Sequence, residues 1–357
     1  MYKYKKPILL LIIIIFIFLL NSCSIGKKEK PLLPVRVSTI SHSVLYAPLY
    51  LADALGFFKE EGLEVRVLSI NNNGTLIHSL YSNESEIVIA GPQNTINRSD
   101  AAKEGLLNVA QLVQKDPSCL MAREPLPDFQ WENLNKKIII GASQNSTPQL
   151  MLEYILKKNQ LEPYKKVDLI YNIPQETVIG AFQGGVGNFI HLLEPDASVS
   201  LGKGMFLTAA LADEIDDISY STIIVKDSFL KTNPHIVQSF INAIYKSQIW
   251  FKYHRENEIA TKLKPYFPDL EQDTLKKVVS RFKQQNIWTD TPIVSEKGFD
   301  KLQDVIISSG MRSQKLPFES LTDNTFALKA QEMIPIPEEY TAEKKTTWQR
   351  IWNRLRD

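Results

Sequence analysis

The stretch YAPLYLADALGFFKEEGLEV, residues 46–65, decides the fold class of this chain. Leu51, Leu55 and Phe58 are spaced at i, i+4 and i+7, which predicts one buried face of a helix. Gly62 ends that helix, because glycine alone enters the left-handed conformation cheaply. The residues that follow alternate between apolar and charged, and predict a strand near the edge of a sheet, with one face in water.

The same order of elements recurs on both sides of this stretch. A strand at 35–40 precedes it, and a short helix that ends at Tyr81 and a buried strand at 87–90 follow it. Strand, helix and strand in succession favour a mainly parallel sheet with helices on its faces. This alternation of strands and helices is interrupted between residues 118 and 135 and resumes at 137, which predicts a second lobe.

The second lobe is expected to contain strands near 167–170, 189–193 and 205–210. A strand at 221–225 then crosses back, and the helices from residue 234 to about 330 complete the first lobe. The fold class is therefore α/β, with two lobes joined by two crossover strands. The predicted divisions are a signal segment at 1–22, a tether at 23–34, lobe one at 35–120 and 216–330, lobe two at 121–215 and a tail at 331–357.

The amino-terminal sequence has the pattern of a targeting segment. Three lysines precede thirteen unbroken apolar residues, 8–20, as in a secretory signal. That run rises only about 20 Å in a helix, too short for a hydrocarbon core of roughly 30 Å. Because Leu20-Asn21-Ser22-Cys23 is similar to a bacterial lipobox, we predict that Cys23 is lipidated and anchors the chain to the extracytoplasmic face of the cell membrane. An ordinary cleaved signal with an incidental cysteine is the alternative.

Composition and missing motifs exclude several classes of function. Without the three signal lysines, 38 basic residues face 40 acidic ones, a net charge of −2, so no basic field for nucleic acid exists. GxSxG, P-loop and HExxH motifs are absent, and the glycine-rich run at 183–188 precedes a strand, unlike a dinucleotide turn. The five histidines lack metal-ligand spacing. We therefore expect no enzyme, no cofactor and no metal.

Three stretches, 46–65, 74–91 and 173–198, together resemble the nitrate/sulfonate/taurine and thiamine-pyrimidine branch of solute-binding proteins. These are extracytoplasmic receptors of ABC importers. The resemblance covers about residues 35–330 and implies a type II periplasmic-binding-protein fold, with a small-molecule ligand in the cleft between two lobes. It also implies an ABC permease and its ATPase as partners, and we expect a monomer.

Departures from the family pattern concern the ligand. Pyrimidine-binding relatives tend to show a Trp-x-Pro-Asn-type stretch and a histidine in the first loop, where this chain has Ile40-Ser41-His42-Ser43 and Tyr46. Asn188 stands where many relatives have an aspartate. The pyrimidine synthases of the same fold carry a cysteine-rich motif, which a mature body with Cys119 as its one cysteine cannot form. The ligand therefore stays unnamed.

Some loops follow the end of a strand and lead into a helix. At the start of that helix they offer free backbone N–H groups and the positive end of the helix dipole. Such loops can bind polar ligand atoms. The predicted ligand-binding residues in these loops are Ser41, His42, Ser43, Tyr46, Asn73, Gly74, Thr75, Gly91, Gln93, Asn94, Asn145, Ser146 and Thr147. For Thr147, and for Gly74 with Thr75, a purely structural role in helix capping is the alternative.

Glu194 follows the strand at 189–193, so its carboxylate is expected at the cleft, with a solvated loop acid as the alternative. In the cleft, an unpaired charge must be offset by a cationic ligand or by hydrogen-bond donors. That favours a nitrogen-bearing organic ligand over sulfonate, taurine or nitrate. Tyr46 and Tyr50 are candidates to stack on its ring, and packing on the sheet is the alternative for Tyr50.

Three functions stay open. The leading one is a lipid-anchored receptor that hands a small organic solute to an ABC permease. The others are an enzyme of the same fold acting on a pyrimidine-like compound, and a sensor lipoprotein. In the tail, an apolar stripe either docks on its own lobe or lies at a membrane surface. The residues of this stripe are Trp348, Ile351, Trp352 and Leu355.

Overall fold

Two five-stranded sheets organise the protein, whose computed structural model describes residues 31–70, 72–97 and 104–340. The first sheet has the order β2, β1, β3, β10, β4, and the second β7, β6, β8, β5, β9. The strands are β1 (Leu33–Thr39), β2 (Leu63–Ser69), β3 (Ile87–Ala90), β4 (Leu106–Val113), β5 (Cys119–Ala122), β6 (Ile138–Ile140), β7 (Asp168–Ile170), β8 (Phe189–Leu192), β9 (Phe206–Ala210) and β10 (Ser221–Lys226).

Both sheets are mixed, where the sequence predicts mainly parallel ones. Within the described strands, β10 runs against β3 and β4, and β5 runs against β8 and β9. The reason is topological: each of these strands enters its sheet from the other lobe, without an α-helix to reverse the chain. The chain crosses at 114–118 and again at 211–220, which confirms the two predicted crossings.

The first crossing ends earlier than the predicted lobe boundary. Cys119 and Leu120 pair with β8 and β9, so they lie in the second sheet. The predicted end of lobe two, residue 215, falls inside the second crossing. Both crossings therefore run between the sheets as short connections, the arrangement of a hinge.

Helices flank the two sheets. The helix α9 packs on α1, α2 and α13, and α10 packs on α1, so the carboxyl-terminal helices cover lobe one. The helices are α1 (Ala47–Ala54), α2 (Phe57–Glu60), α3 (Asn73–Tyr81), α4 (Gln93–Ile96), α5 (Thr147–Lys158), α6 (Gln175–Gln183), α7 (Asp196–Leu201), α8 (Asp227–Thr232), α9 (Pro234–Tyr253), α10 (Glu256–Leu263), α11 (Gln272–Gln284), α12 (Glu296–Ser308) and α13 (Thr325–Met333).

The stretch 46–65 forms the edge of lobe one. Leu51 and Phe58 are buried, as the spacing predicts, and β2 is an edge strand. The apolar spacing predicts one helix that relaxes at Gly56 and ends at Gly62, but the chain forms two helices, because Gly56 adopts a left-handed φ of 79° between them. Gly62, also at φ 79°, then turns the chain into β2.

Several predictions fall outside the described residues. They are the signal segment, the lipidation of Cys23 and the stripe in the tail. At the end of the described part of the tail, Tyr340 stacks on Tyr253 of α9 with ring centroids 5.0 Å apart. Among the described helices, none is both long enough and apolar enough to cross a membrane.

Candidate functional site

The two lobes meet at the carboxyl ends of their strands. Gly91 follows β3 in lobe one, and a Cβ placed on it would lie 2.6 Å from Thr147 Oγ1 at the start of α5 in lobe two. Gln93 and Thr147 are 3% and 5% exposed. The lobes are therefore closed on each other where ligands gather in α/β sheets.

Two buried glutamines lie close to this contact along the chain: Gln93 is two residues after Gly91, and Gln149 is two residues after Thr147. Gln93 Oε1 and Gln149 Oε1 have no hydrogen-bond partner in the described part of the chain. Gln149 donates its Nε2–H to Glu153 at 2.8 Å, which leaves Oε1 facing Gly141. A buried unpaired acceptor costs about 1–3 kcal/mol, so two of them at a lobe contact mark a place where a ligand would supply donors.

Gly91 and Gly141 make room for these amides. An added Cβ at either glycine would collide with the neighbouring glutamine Oε1. Gly91 also accepts a hydrogen bond at its carbonyl from Asn94 Nδ2, at 3.0 Å. Asn94 therefore holds the turn after β3 in shape, and it is itself buried.

A buried polar chain occupies the first crossing. Asp116 Oδ1 accepts hydrogen bonds from the Ser118 N–H, at 2.8 Å, and from the Ser118 hydroxyl. His191 Nε2 lies 2.6 Å from Ser118 Oγ. Because the hydroxyl hydrogen goes to Asp116, the imidazole donates through Nε2. Asp116 Oδ2 and His191 Nδ1 then have no partner among the residues described.

Burial sets the protonation of this polar chain. Desolvation raises the pKa of Asp116 to about 7, against the hydrogen bonds from Ser118 that lower it. Desolvation lowers the pKa of His191 to about 3, so the imidazole is neutral at physiological pH. A neutral His191 that donates through Nε2 presents Nδ1 as an acceptor.

The order Asp, Ser, His differs from that of a nucleophilic triad. In a triad the carboxylate holds the imidazole, and the imidazole takes the proton of the serine. Here Asp116 binds Ser118 itself, and the Ser118 hydroxyl is committed as a donor. This arrangement can accept hydrogen bonds from a ligand, but it does not activate a nucleophile.

Glu194 is buried at the end of β8, but its charge is paired. Arg281 Nη1 forms an ion pair with Glu194 Oε1, and the Ser198 N–H donates to Oε2 at 2.9 Å. Desolvation raises the pKa of Glu194, while Arg281 and Ser198 oppose the rise. The argument that Glu194 needs a cationic ligand is therefore wrong in its premise, because Arg281 offsets the carboxylate. Its contact with a ligand stays a prediction.

This ion pair also joins distant parts of the chain. Arg281 lies on α11, in the carboxyl-terminal segment, whereas Glu194 belongs to lobe two. The Glu194 side chain has no exposure and that of Arg281 has 18%. The pair therefore acts as a buried link between lobe two and the helices beyond the second crossing.

In the first loop, the predicted residues have local structural partners. Ser43 Oγ accepts from the Leu45 N–H at 3.2 Å and caps the turn Val44–Tyr46. The Ser41 carbonyl accepts from Thr39 Oγ1 at 3.0 Å. Tyr46 is only 2% exposed, and burial raises its pKa, so its ring packs in the core of lobe one.

His42 lies apart from the lobe contact. Its ring stacks on Phe267, with centroids 4.7 Å apart, and meets Tyr50 edge-on at 5.4 Å. Together with Tyr50 it lines a cavity of about 250 Å³ on lobe one. Tyr50, a candidate to stack on a cleft ligand, packs among these rings instead.

The other two predicted loops consist mainly of helix caps. Thr75 donates its N–H to Asn72 Oδ1 at 3.0 Å, and both Gly74 and Thr75 are exposed. The backbone of Asn73 begins α3, and its side chain is outside the description. In lobe two, Ser146 Oγ accepts from the Gln149 N–H at 3.4 Å.

Asn145 is exposed and adopts a positive φ of 61°, as asparagine does more readily than most residues. The structure thus brings together Gly91, Gln93 and Thr147 from the predicted set. It leaves Gly74, Thr75 and Asn145 at the surface.

Sequence reasoning missed five residues of this region. They are Asp116, Ser118, Gln149, His191 and Arg281. Gln149 follows the predicted Thr147 by two positions in the first turn of a helix, and that proximity is a usable signal. The sequence gives no comparable signal for Arg281, because 87 positions separate it from Glu194.

Comparison with known proteins identifies relatives over most of the chain. The family described as NMT1/THI5 like matches residues 44–257. YtlA of Bacillus subtilis (strain 168), which is named as a binding protein, is 35% identical over 315 residues. That alignment covers 88% of this chain and 94% of YtlA.

Solved structures share the fold at low sequence identity. A ligand-binding component of an ABC-type import system from Staphylococcus aureus, with zinc bound, is 14% identical with a TM-score of 0.67, covering 84% of this chain and 99% of that one. The periplasmic nitrate-binding protein NrtA from Synechocystis PCC 6803 is 12% identical with a TM-score of 0.69, covering 87% and 91%. Both likenesses support a two-lobed periplasmic-binding-protein fold.

Proposed function

This chain belongs to the NMT1/THI5-like family, and from that membership we propose that it is the solute-binding protein of an ABC importer. It captures a small, nitrogen-bearing organic molecule between its two lobes and makes or breaks no bond in it. The structural neighbour from Staphylococcus aureus, named as a component of such a system, supports this role.

One observation carries the choice of ligand class. Four buried acceptor atoms, from α4, the first crossing, α5 and β8, have no hydrogen-bond partner in the part of the chain that the structure describes. They are Gln93 Oε1, Gln149 Oε1, Asp116 Oδ2 and His191 Nδ1. A ligand with several N–H donors would satisfy such atoms, whereas an anion would add another acceptor to them.

A sulfonate, taurine or nitrate is the alternative ligand class, and the likeness to a nitrate-binding protein favours it. Anion binding in a closed cleft needs donors or a free cation. The Arg281 guanidinium, which is partly buried between lobe two and α11, is already paired with Glu194. The balance of charge therefore supports a ligand that donates hydrogen bonds.

We propose that transport uses the closing of the lobes. A ligand that contacts both Gln93 and Gln149 binds the closed form better than the open one, so it shifts the population toward closure. Closure would also bring Glu194 to Arg281. The permease and its ATPase would then receive the ligand from the closed form, and a lipid on Cys23 would keep the receptor at the extracytoplasmic face of the cell membrane.

Native mass spectrometry of gently purified protein tests this proposal. We expect a retained small molecule whose composition includes nitrogen and whose mass is unchanged after long incubation. Calorimetry should then give tighter binding for amine-, amidine- or pyrimidine-bearing compounds than for alkanesulfonates, taurine or nitrate. Binding of the anions alone would overturn the ligand class, and a changed ligand mass would favour an enzyme.

A further inference from the structure

Lobe one contains a cavity of its own, with a volume of about 250 Å³. It lies between α1 and the edge strand β2, and one residue of the carboxyl-terminal segment closes it. The lining residues are His42, Leu49, Tyr50, Asp53, Val65, Val67, Ser69 and Tyr266. None of these residues belongs to lobe two, so filling this cavity does not require the lobes to close.

The rings of His42, Tyr50 and Tyr266 form one wall of the cavity, and Phe267 packs behind them. Tyr50 lies 5.2 Å from Tyr266 and 5.3 Å from Phe267, between ring centroids. His42 stacks on Phe267 and completes the group. Because ring faces carry partial negative charge, a cluster of this kind attracts organic cations.

The polar groups of the cavity favour the same class of ligand. Asp53 is exposed, and its Oδ2 accepts a hydrogen bond from the Tyr266 hydroxyl at 2.6 Å. Among the residues that the structure describes, Asp53 is the one carboxylate in the lining, and neither a lysine nor an arginine lines the cavity. The Tyr50 hydroxyl is buried and has no hydrogen-bond partner among the described residues, which leaves it able to bind a ligand.

We propose that this cavity is a second small-molecule site, separate from the cleft, that binds an organic ammonium ion. The ammonium group contacts Asp53, and the organic part packs between the rings and Val67. The cavity is smaller than the roughly 300–1,000 Å³ of sites for drug-sized molecules, so its ligand is a small one.

Calorimetry with benzylammonium as the probe tests this proposal. Benzyl alcohol is the neutral analogue of the probe, and benzoate is the anionic analogue. We expect benzylammonium to bind at one site per chain, benzyl alcohol to bind about tenfold more weakly, and benzoate not to bind. Equal binding of all three compounds, or no binding of benzylammonium at millimolar concentration, would overturn the proposal.

Variants locate the probe. Asp53→Asn should reduce the affinity for benzylammonium to that for benzyl alcohol, and Val67→Phe should remove binding by filling the cavity. Asp269→Asn is the matched control, because it deletes an exposed charge three positions from Tyr266 but outside the lining. It should leave the affinity unchanged.

The cleft variant Gln93→Leu separates this site from the first one. It should bind benzylammonium as the wild type does, even where it has lost the cleft ligand. If Gln93→Leu loses benzylammonium, or if Asp53→Asn retains it fully, the probe lies in the cleft and the second site does not exist. A crystal structure with the probe would confirm which outcome holds.

Discussion

At the scale of single residues, the unpaired acceptors at the lobe contact carry the functional argument. Gln93 Oε1 is buried beside Thr147, with no partner in the described part of the protein. A folded protein tolerates such an atom only where something offsets the cost. A ligand that donates to it in the closed state is the explanation that also fits the fold.

Replacing Gln93 by leucine should weaken binding of the native ligand by about tenfold or more, because a hydrogen bond to a buried group is lost. Calorimetry with the ligand found by mass spectrometry measures the change. Gln238→Leu is the matched control: Gln238 Oε1 is also unpaired, but the residue lies on α9 and donates to the Phe326 carbonyl at 3.0 Å. Equal losses in the two variants would contradict the assignment.

Asp116 should make stability depend on pH. Its pKa in the folded protein, about 7, is above the ordinary value, so the folded state holds the proton more tightly than the unfolded chain. The contribution of Asp116 to the free energy of unfolding therefore falls as pH rises from about 4 to 7, by up to roughly 4 kcal/mol at 1.36 kcal/mol per unit. His191, whose pKa is lowered to about 3 in the folded protein, makes the opposite contribution, which rises with pH up to about 6.5.

Urea unfolding of the ligand-free protein at pH 5 and pH 8 measures this effect. Asp116→Asn should shift the difference between the two pH values in favour of pH 8, because the amide does not titrate whereas His191 still does. Asp128→Asn, at an exposed acid of lobe two, should keep the difference. An unchanged pH dependence in Asp116→Asn would show that Asp116 is not the titrating group.

At the scale of elements, the buried ion pair of Glu194 with Arg281 connects β8 to α11. Arg281→Met leaves a buried carboxylate unpaired, and we expect a loss of about 3–5 kcal/mol in the free energy of unfolding. The double variant Glu194→Gln with Arg281→Met should be less destabilised than the sum of the two single variants. A double-mutant cycle by urea unfolding gives the coupling energy.

The exposed pair of Lys315 with Asp300, 3.3 Å apart, is the control for this cycle. Exposed pairs contribute about 0–1 kcal/mol, so its coupling should be small. A coupling for Glu194 and Arg281 that is no larger than the control would contradict the account of a buried link between the lobes.

Elements with regular apolar patterns could be predicted from the sequence, and those stabilised by distant polar contacts could not. The stripe through Leu51 and Phe58 predicted helix and burial correctly. The strand β4 escapes prediction because Asn108 interrupts its apolar pattern, yet Asn108 is fully buried. Its side chain donates to the Leu321 carbonyl at 2.7 Å and accepts from Thr222, contacts that sequence patterns do not reveal.

The candidate site was predictable to a similar degree. Strand-end loops pointed to Gly91, Gln93 and Thr147, because topology places such loops at one edge of each sheet. The partner of Glu194 was not predictable, since Arg281 reaches it only after the chain has crossed back.

At the scale of the whole molecule, Gly91 controls how closely the lobes approach. Gly91→Ala places a methyl group against Gln93 and Thr147, so we expect it to hold the lobes apart and weaken ligand binding. Small-angle scattering should show that the ligand-loaded variant keeps a larger radius of gyration than the loaded wild type. Gly180→Ala adds the same methyl group in open space on α6 and should close normally. Normal closure of both variants would contradict the role of Gly91.

The crystal structure of the gently purified protein with its retained ligand tests the central claim most directly. The account predicts density for a small nitrogen-bearing molecule between the lobes, with its donors within hydrogen-bond distance of Gln93 Oε1 and Gln149 Oε1. Ligand density confined to one lobe would contradict the claim. So would a molecule between the lobes that places only hydrogen-bond acceptors next to Gln93 Oε1 and Gln149 Oε1.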